Sequence, residues 1–514
     1  MSEQIQNTQA NNKRIAKNTL LLYFRMILIM AVNLYSSRVI LQVLGVEDYG
    51  TYNVVGGVVA MLSFINSSLA GGSSRFITFE LGKGKDGNAE KMFRCSATIF
   101  YIFSIVCFVL LETIGLWFAL TQLNIPEGRE TAVFWVYQCS VITFIVSLLS
   151  VTYNALIIAQ EHMGAFAYIS VFEAITKLCI LFLLPILPFD RLICYAVLLM
   201  LIQLAIRTIY TIYCNKHFEE VNNKWLWDRN ISREFFTYVA WSVNGHIAYI
   251  GYTQGINILL NIYFGPVVNA ARAIATQIQS ALSQFYASFQ TAIRPQVIKS
   301  YAQGNYEYMH MLVLKSARLS FLLSIIVSVP VFTFADYILN LWLVNPPEHV
   351  VAFARLTIIA GLSASLSQHT LIAIHATGDI KKFQIIEGGC LLLILPTSWV
   401  LLRFFGVSSE MVIGVYVIIE ILTQLVRVVI VYPRIQLRIS RFFTEVLIKP
   451  MICLALISST ALLIQKYNAA ISFLTLIIDL VVLGVVELFF CFFIGVQKGE
   501  RQMVTTRLTR LIRK

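Results

Sequence analysis

ATIFYIFSIVCFVLLETIGLWFAL, residues 97–120, carries a single charge, Glu112, in a run long enough to cross a bilayer. A spanning helix needs about 20 mostly apolar residues. Working outward from this stretch, thirteen others read the same way: 18–43, 51–73, 132–158, 165–187, 190–214, 236–262, 267–293, 312–335, 350–375, 382–403, 410–432, 447–465 and 471–495. The composition agrees. Of 514 residues, 58% are hydrophobic and only 13% charged, where globular proteins carry about 25% charged residues, and the mean hydropathy is +0.74. The sequence therefore predicts an all-α polytopic membrane protein of about 14 transmembrane helices.

Residues 1–17 are polar and basic, and the apolar stretch after them is too long for a signal-peptide core, so the first span is expected to be retained. Lysines and arginines set the orientation. Outside the spans, 28 fall on the side that holds both termini and 4 on the other. That bias places both termini in the cytoplasm of a multi-pass protein. The net charge of +12 raises nucleic acid as a partner. Its distribution argues against that, because basic loops and tails on one face suit anionic lipid headgroups. The nine cysteines are scattered, with no metal-ligand spacing.

A shift of 220 residues brings two hairpins into register. Leu44-Gly45, a span, Arg75 and Gly82-Lys83-Gly84 match Phe264-Gly265, a span, Arg294-Pro295 and Gln303-Gly304-Asn305. The two copies keep one orientation, so they predict parallel repeats about an axis along the membrane normal. The expected organisation is a cytoplasmic tail (1–17), a six-helix bundle (18–214), a cytoplasmic linker (215–235), a second bundle (236–432), a linker (433–446), two appended helices (447–495) and a basic tail (496–514).

Two bundles facing each other leave a seam, and helices lining a wet seam carry a polar stripe. The eighth span has Gln277, Ser280, Gln284, Ser288 and Thr291, and the second has Ala60, Ser63, Ser67, Gly71 and Ser74. The seventh adds Asn244, His246, Gln254, Asn257 and Asn261. Two readings stand for these stripes: helix packing through small and polar residues, or the lining of a cavity, for which Asn257, Gln277, Ser280 and Gln284 are the candidates.

Cations inside the apolar stretches point to function. Charge at membrane depth costs roughly 2.5–3.5 kcal/mol on insertion scales and persists where it meets a partner or a wet cavity. Arg25, Arg38, Lys177, Arg207, Arg272 and Arg355 are the candidates for gripping an anionic substrate. Arg25 and Arg207 lie about seven residues from their cytoplasmic ends, roughly 11 Å deep. Arg38, Arg272 and Arg355 lie near their external ends. Arg427 is close enough to its cytoplasmic end to snorkel. Glu173 precedes Lys177 by one turn, which suits either a neutral structural pair or one opened by substrate. Glu173, Glu387, Glu420 and Asp479 are candidates for ion coupling, because a membrane carboxylate can carry a proton. Asp479 and Glu487 share one face of the last span.

The residues resemble a family. Leu44-Gly45-Val46-Glu47-Asp48-Tyr49-Gly50-Thr51-Tyr52 is similar to the external turn after the first span of bacterial polysaccharide flippases, members of the multidrug/oligosaccharidyl-lipid/polysaccharide exporter superfamily. Tyr153-Asn154-Ala155-Leu156-Ile157-Ile158-Ala159-Gln160-Glu161, with Ala165-Phe166-Ala167-Tyr168, resembles their loop between spans 4 and 5, and Ala376-Thr377-Gly378-Asp379-Ile380-Lys381-Lys382-Phe383-Gln384 the loop between spans 10 and 11. The resemblance implies a flippase with a cationic cavity and alternating access. Its substrate would be an undecaprenyl-pyrophosphate-linked oligosaccharide for O-antigen, capsule or exopolysaccharide, with a polymerase or chain-length machinery as partner. It also implies cavity roles for Arg25 and Arg272, and contact of the appended helices with the polyprenyl tail. No organic cofactor is implied; coupling would be to H+ or Na+.

Rival readings are a cation-coupled multidrug exporter of the same superfamily, a flippase for a lipid-linked peptidoglycan precursor, and a membrane enzyme. The excess of embedded arginine speaks against the first. No Walker loop, nucleophile elbow or paired-carboxylate loop supports the last.

Overall fold

The computed structural model describes residues 2–60, 62–121, 128–222, 224–343, 346–468, 472–497, 499–502 and 505. It is helical, and no strand occurs among the described residues. The chain divides into two compact units, Met1–Val243 with Arg294–Gly304, and Asn244–Ile293 with Asn305–Lys514.

The first unit contains α1 (Ser2–Ala60), α2 (Ser63–Gly82), α3 (Ala89–Leu110), α4 (Leu116–Thr121), α5 (Glu130–Ala159), α6 (Met163–Leu183) and α7 (Arg191–His217). Two long helices follow, α8 (Arg229–Phe264) and α9 (Pro266–Ala302), and each is divided between the units. The second unit continues with α10 (Tyr306–Thr333), α11 (Ala335–Trp342), α12 (Val350–Thr377), α13 (Lys381–Leu392), α14 (Ile394–Phe405), α15 (Ser409–Arg434), α16 (Ile439–Arg441), α17 (Ile448–Tyr467) and α18 (Phe473–Phe490).

Among the described residues, eleven helices are long and apolar enough to cross a membrane. The other three expected spans, 51–73, 236–262 and 267–293, also lie largely on helix. They fail the same criterion for a physical reason. The seventh and eighth carry the asparagines and glutamines of the polar stripes, and the second is interrupted by a turn at Leu62.

The matched glycines of the repeat all have positive φ. Gly45 and Gly265 both have φ of 81°, while Gly84 has 64° and Gly304 has 69°. A side chain at such φ costs roughly 1–2 kcal/mol, which glycine avoids. Gly45 kinks α1, and Gly265 separates α8 from α9. The 220-residue offset read from sequence thus recurs as paired positive-φ glycines.

In the first unit α5 is the hub, packed against α7, α2, α3 and α1. Tyr137, Leu148, Leu156 and Ile157 on α5 are fully buried. In the second unit α12 packs against α15 and α10, and α10 against α17. Lipid is as apolar as leucine, so close packing holds membrane helices together, and small residues permit it. Ala271, Ala275, Ala354 and Ala360 fill such positions in the second unit.

Candidate functional site

In the second unit the polar centre grows from one face of α15. Tyr416, Glu420, Gln424 and Arg427 recur at helical spacing, so their side chains project together, and all four are buried. Arg427 does not snorkel. It donates to Glu387 of α13 from Nε at 2.6 Å and to Gln424 Oε1 from Nη1 at 2.7 Å, with Glu420 at 3.8 Å. Gln424 Nε2 in turn donates to Glu420 at 2.5 Å. The second Glu420 oxygen has no hydrogen-bond partner. Two carboxylates, one guanidinium and one amide therefore form a buried network.

Arg272 of α9 meets it at Tyr416. Its guanidinium carbon is 5.3 Å from the centre of the Tyr416 ring, and Tyr252 stacks on Tyr416 at 5.9 Å. Gln279 Nε2, two turns along α9, donates to the Tyr416 hydroxyl at 2.7 Å. Arg272 is 2% exposed, yet its Nε and Nη1 make no hydrogen bond. A cation–π contact offsets part of the cost of burying it, but two N–H-bearing nitrogens stay free for an acceptor.

Further along the polar stripe, Gln277, Ser280 and Gln284 are exposed on α9, and Asn257 is half-buried with its amide on Gln254 at 3.1 Å. Arg355, by contrast, has acceptors in its own unit. It pairs with Asp336 at 2.6 Å and donates from Nε to the Phe332 carbonyl.

In the first unit Arg25 and Arg207 stand against aromatic rings. Arg25 stands 4.4 Å from the Phe166 ring, with Nε unbonded. Tyr210, which accepts from Asn154 at 3.3 Å, and Glu173 lie within electrostatic reach of Arg25. Glu173 takes Lys177 at 2.7 Å, the one-turn pair expected from sequence. Arg207 lies 5.7 Å from the Tyr153 ring, and its Nη2 reaches the Tyr101 hydroxyl at 3.5 Å. The side chain of Arg38 lies outside the described residues, as do those of Ala60 and Ser63. Ser74 is buried, and Gly71 gives its carbonyl to Arg294 at 3.1 Å.

Two further carboxylates of the second unit are on α18. Asp479 is 3% exposed and accepts from Asn468 at 2.6 Å, and Glu487 is 1% exposed.

Sequence reasoning missed Glu161 as a polar hub. This residue ends the α5–α6 turn with φ of +62°. Its buried carboxylate accepts from Gln296 at 2.7 and 2.8 Å, Lys299 at 2.9 Å and Arg14 at 2.8 Å. These groups come from α1 and the end of α9, so no local pattern reveals the convergence. Gln279 and Tyr416 were missed for the same reason.

Comparisons with known proteins follow this geometry. The family model described as MatE matches residues 245–400. None of the curated proteins matches by sequence. Solved structures share the fold. The outward-facing conformation of a multidrug resistance MATE family transporter of the MOP superfamily superposes with TM-score 0.72 at 14% identity, covering 84% of this chain and 96% of that one. A MATE in the straight conformation gives 0.72 at 14%, covering 84% and 97%. A MOP superfamily transporter from Pyrococcus furiosus, described as having a binding pocket of reverse polarity, gives 0.69 at 14%, covering 83% and 96%. The chain is thus an all-α polytopic protein with the fold of MATE transporters.

Proposed function

We propose that this protein is a membrane transporter that exports an amphiphile with an anionic head. Transport is supported by the MATE fold, and the anionic head by Arg272. A guanidinium 98% removed from solvent with two free nitrogens suits charge-assisted, forked bonding to a phosphate or carboxylate. Tyr416, Gln279, Gln277 and Gln284 would offer hydroxyl and amide partners for sugars. Pyrophosphate and sugars cannot cross hydrocarbon unaided, because burying unpaired charge and unsatisfied hydroxyls costs too much. The finer reading is a flippase for lipid-linked oligosaccharide units in the bacterial inner membrane.

A second reading, a cation-coupled multidrug exporter, has its own support and the comparisons favour it. The MatE match and the multidrug resistance transporter among the similar structures point that way, and the Glu387–Arg427–Glu420 network would supply acidic groups for an ion.

One experiment separates the two. Cells with and without the gene are compared for drug susceptibility and for lipid-linked saccharides held in the inner leaflet. The anionic reading expects the saccharide intermediate to accumulate on deletion, with unchanged drug tolerance. Altered tolerance to cationic drugs with normal saccharide export would establish the second reading instead.

A further inference from the structure

The helix α18 buries two acids with which no cation among the described residues forms an ion pair. The buried residues of α18 are Leu476, Asp479, Leu483 and Glu487, spaced as one helical stripe. This stripe packs against α17, α10 and the π-helical turn Cys491–Gly495. Half of what should be an apolar face is therefore carboxylate. Asp479 gives one oxygen to Asn468, while its other oxygen and Glu487 Oε1 have no hydrogen-bond partner.

Charged groups on the packed elements are engaged elsewhere or lie near helix ends. On α10, Arg318 and Lys315 are held by Glu500, at 2.7 and 3.5 Å, and His310 bonds the Ile435 carbonyl at 2.6 Å. Glu307 lies in the first turn of α10. On α17, Lys449 and Lys466 lie near the two ends. Among the described residues no lysine, arginine or histidine forms an ion pair with Asp479 or Glu487. The Cys491 thiol lies within electrostatic reach of both Glu487 and Cys453.

An isolated ionised carboxylate in a low-dielectric interior is penalised so heavily that the group neutralises itself. No group of three or more metal-ligating side chains occurs among the described residues. A proton is then the occupant that fits. The two acids are eight residues apart on one helix, a rise of about 12 Å.

We infer that Glu487 is an exchangeable proton site, which makes α18 a proton-responsive element. The acid is neutral while buried in this packing and releases its proton when water reaches it. Coupling of this exchange to substrate movement rests on the transporter reading; the proton site itself does not.

The test uses dicyclohexylcarbodiimide, an apolar reagent for protonated membrane carboxyls. The acid O–H adds across the carbodiimide and the adduct rearranges to a stable N-acylurea, with no leaving group. Purified full-length protein is labelled between pH 6 and 10 and mapped by mass spectrometry. The expected result is an adduct on Glu487 that falls about tenfold per pH unit above its midpoint, is unaffected by sodium and is absent from Glu487→Gln. Unchanged thermal unfolding of Glu487→Gln shows that the fold is kept. No adduct on Glu487, labelling independent of pH, or protection by sodium would overturn the inference. If labelling behaves as expected but Glu487→Gln leaves the proton-gradient dependence of transport unaltered, the site stands and the coupling is rejected.

Discussion

The Arg427 guanidinium grips the Glu387 carboxylate of α13 from two of its nitrogens, at 2.5 and 2.6 Å, deep inside the second unit. This pair turns a residue that sequence depth alone assigns to the headgroup region into the centre of a buried network. Removing one partner of such a pair leaves an uncompensated charge and costs about 3–5 kcal/mol. Glu387→Ala or Arg427→Ala should lower the thermal midpoint of the purified protein by several degrees. The Glu387→Gln/Arg427→Gln double variant, which removes both charges, should recover most of the loss.

Glu161 should show a different signature. Alanine at this position loses three partners and stays in a left-handed conformation, so Glu161→Ala is expected to destabilise by about 1–3 kcal/mol. Glu161→Gly loses the same partners but relieves the backbone, and should be about 1 kcal/mol less damaging. Paired denaturation curves in detergent would check the order.

Gly82 ends α2 against the end of α9. A Cβ there would lie 2.8 Å from both the Ala302 Cβ and the Lys299 Cα. Lys299 also serves Glu161, so the backbone cannot retreat without disturbing that hub. Gly82→Ala should cost about 1–3 kcal/mol by overpacking, measurable as a lower thermal midpoint.

A pH effect follows from Arg129, which bonds both Asp48 and Asp190 at the head of α5. Partial burial pushes the Asp190 carboxyl up. The Ile193 amide, the Arg129 guanidinium and the Leu192 amide outweigh that and hold it below the usual range. A carboxylate depressed on folding adds stability above its unfolded value, near 3.9, and loses it as pH falls through the folded value. Arg129→Ala should therefore move acid unfolding to higher pH. The change at pH 7 should stay under about 1 kcal/mol because the pair is partly exposed. Acid titration followed by intrinsic fluorescence measures both.

The span pattern was legible in the sequence because twenty-residue apolar runs need no partner to be recognised. The repeat was legible through Gly45, Gly84, Gly265 and Gly304, where backbone geometry demands glycine. The Glu173–Lys177 pair was legible because both residues share one helix face. The Arg427–Glu387 pair joins α15 to α13, and the Glu161 hub joins α1, the α5–α6 turn and α9. No periodicity within one helix encodes such crossings. Arg355 and Arg272 look alike in sequence, and the acceptors Asp336 and the Phe332 carbonyl distinguish them.

The central claim is that Arg272 receives an anionic head. Binding of undecaprenyl pyrophosphate to purified protein, compared between wild type and Arg272→Ala, tests it most directly. The account predicts measurable binding by wild type, at least tenfold weaker binding by Arg272→Ala, partial recovery in Arg272→Lys and equal thermal stability of the three proteins. Equal affinity in wild type and Arg272→Ala, or a preference of the wild type for cationic amphiphiles, would contradict it.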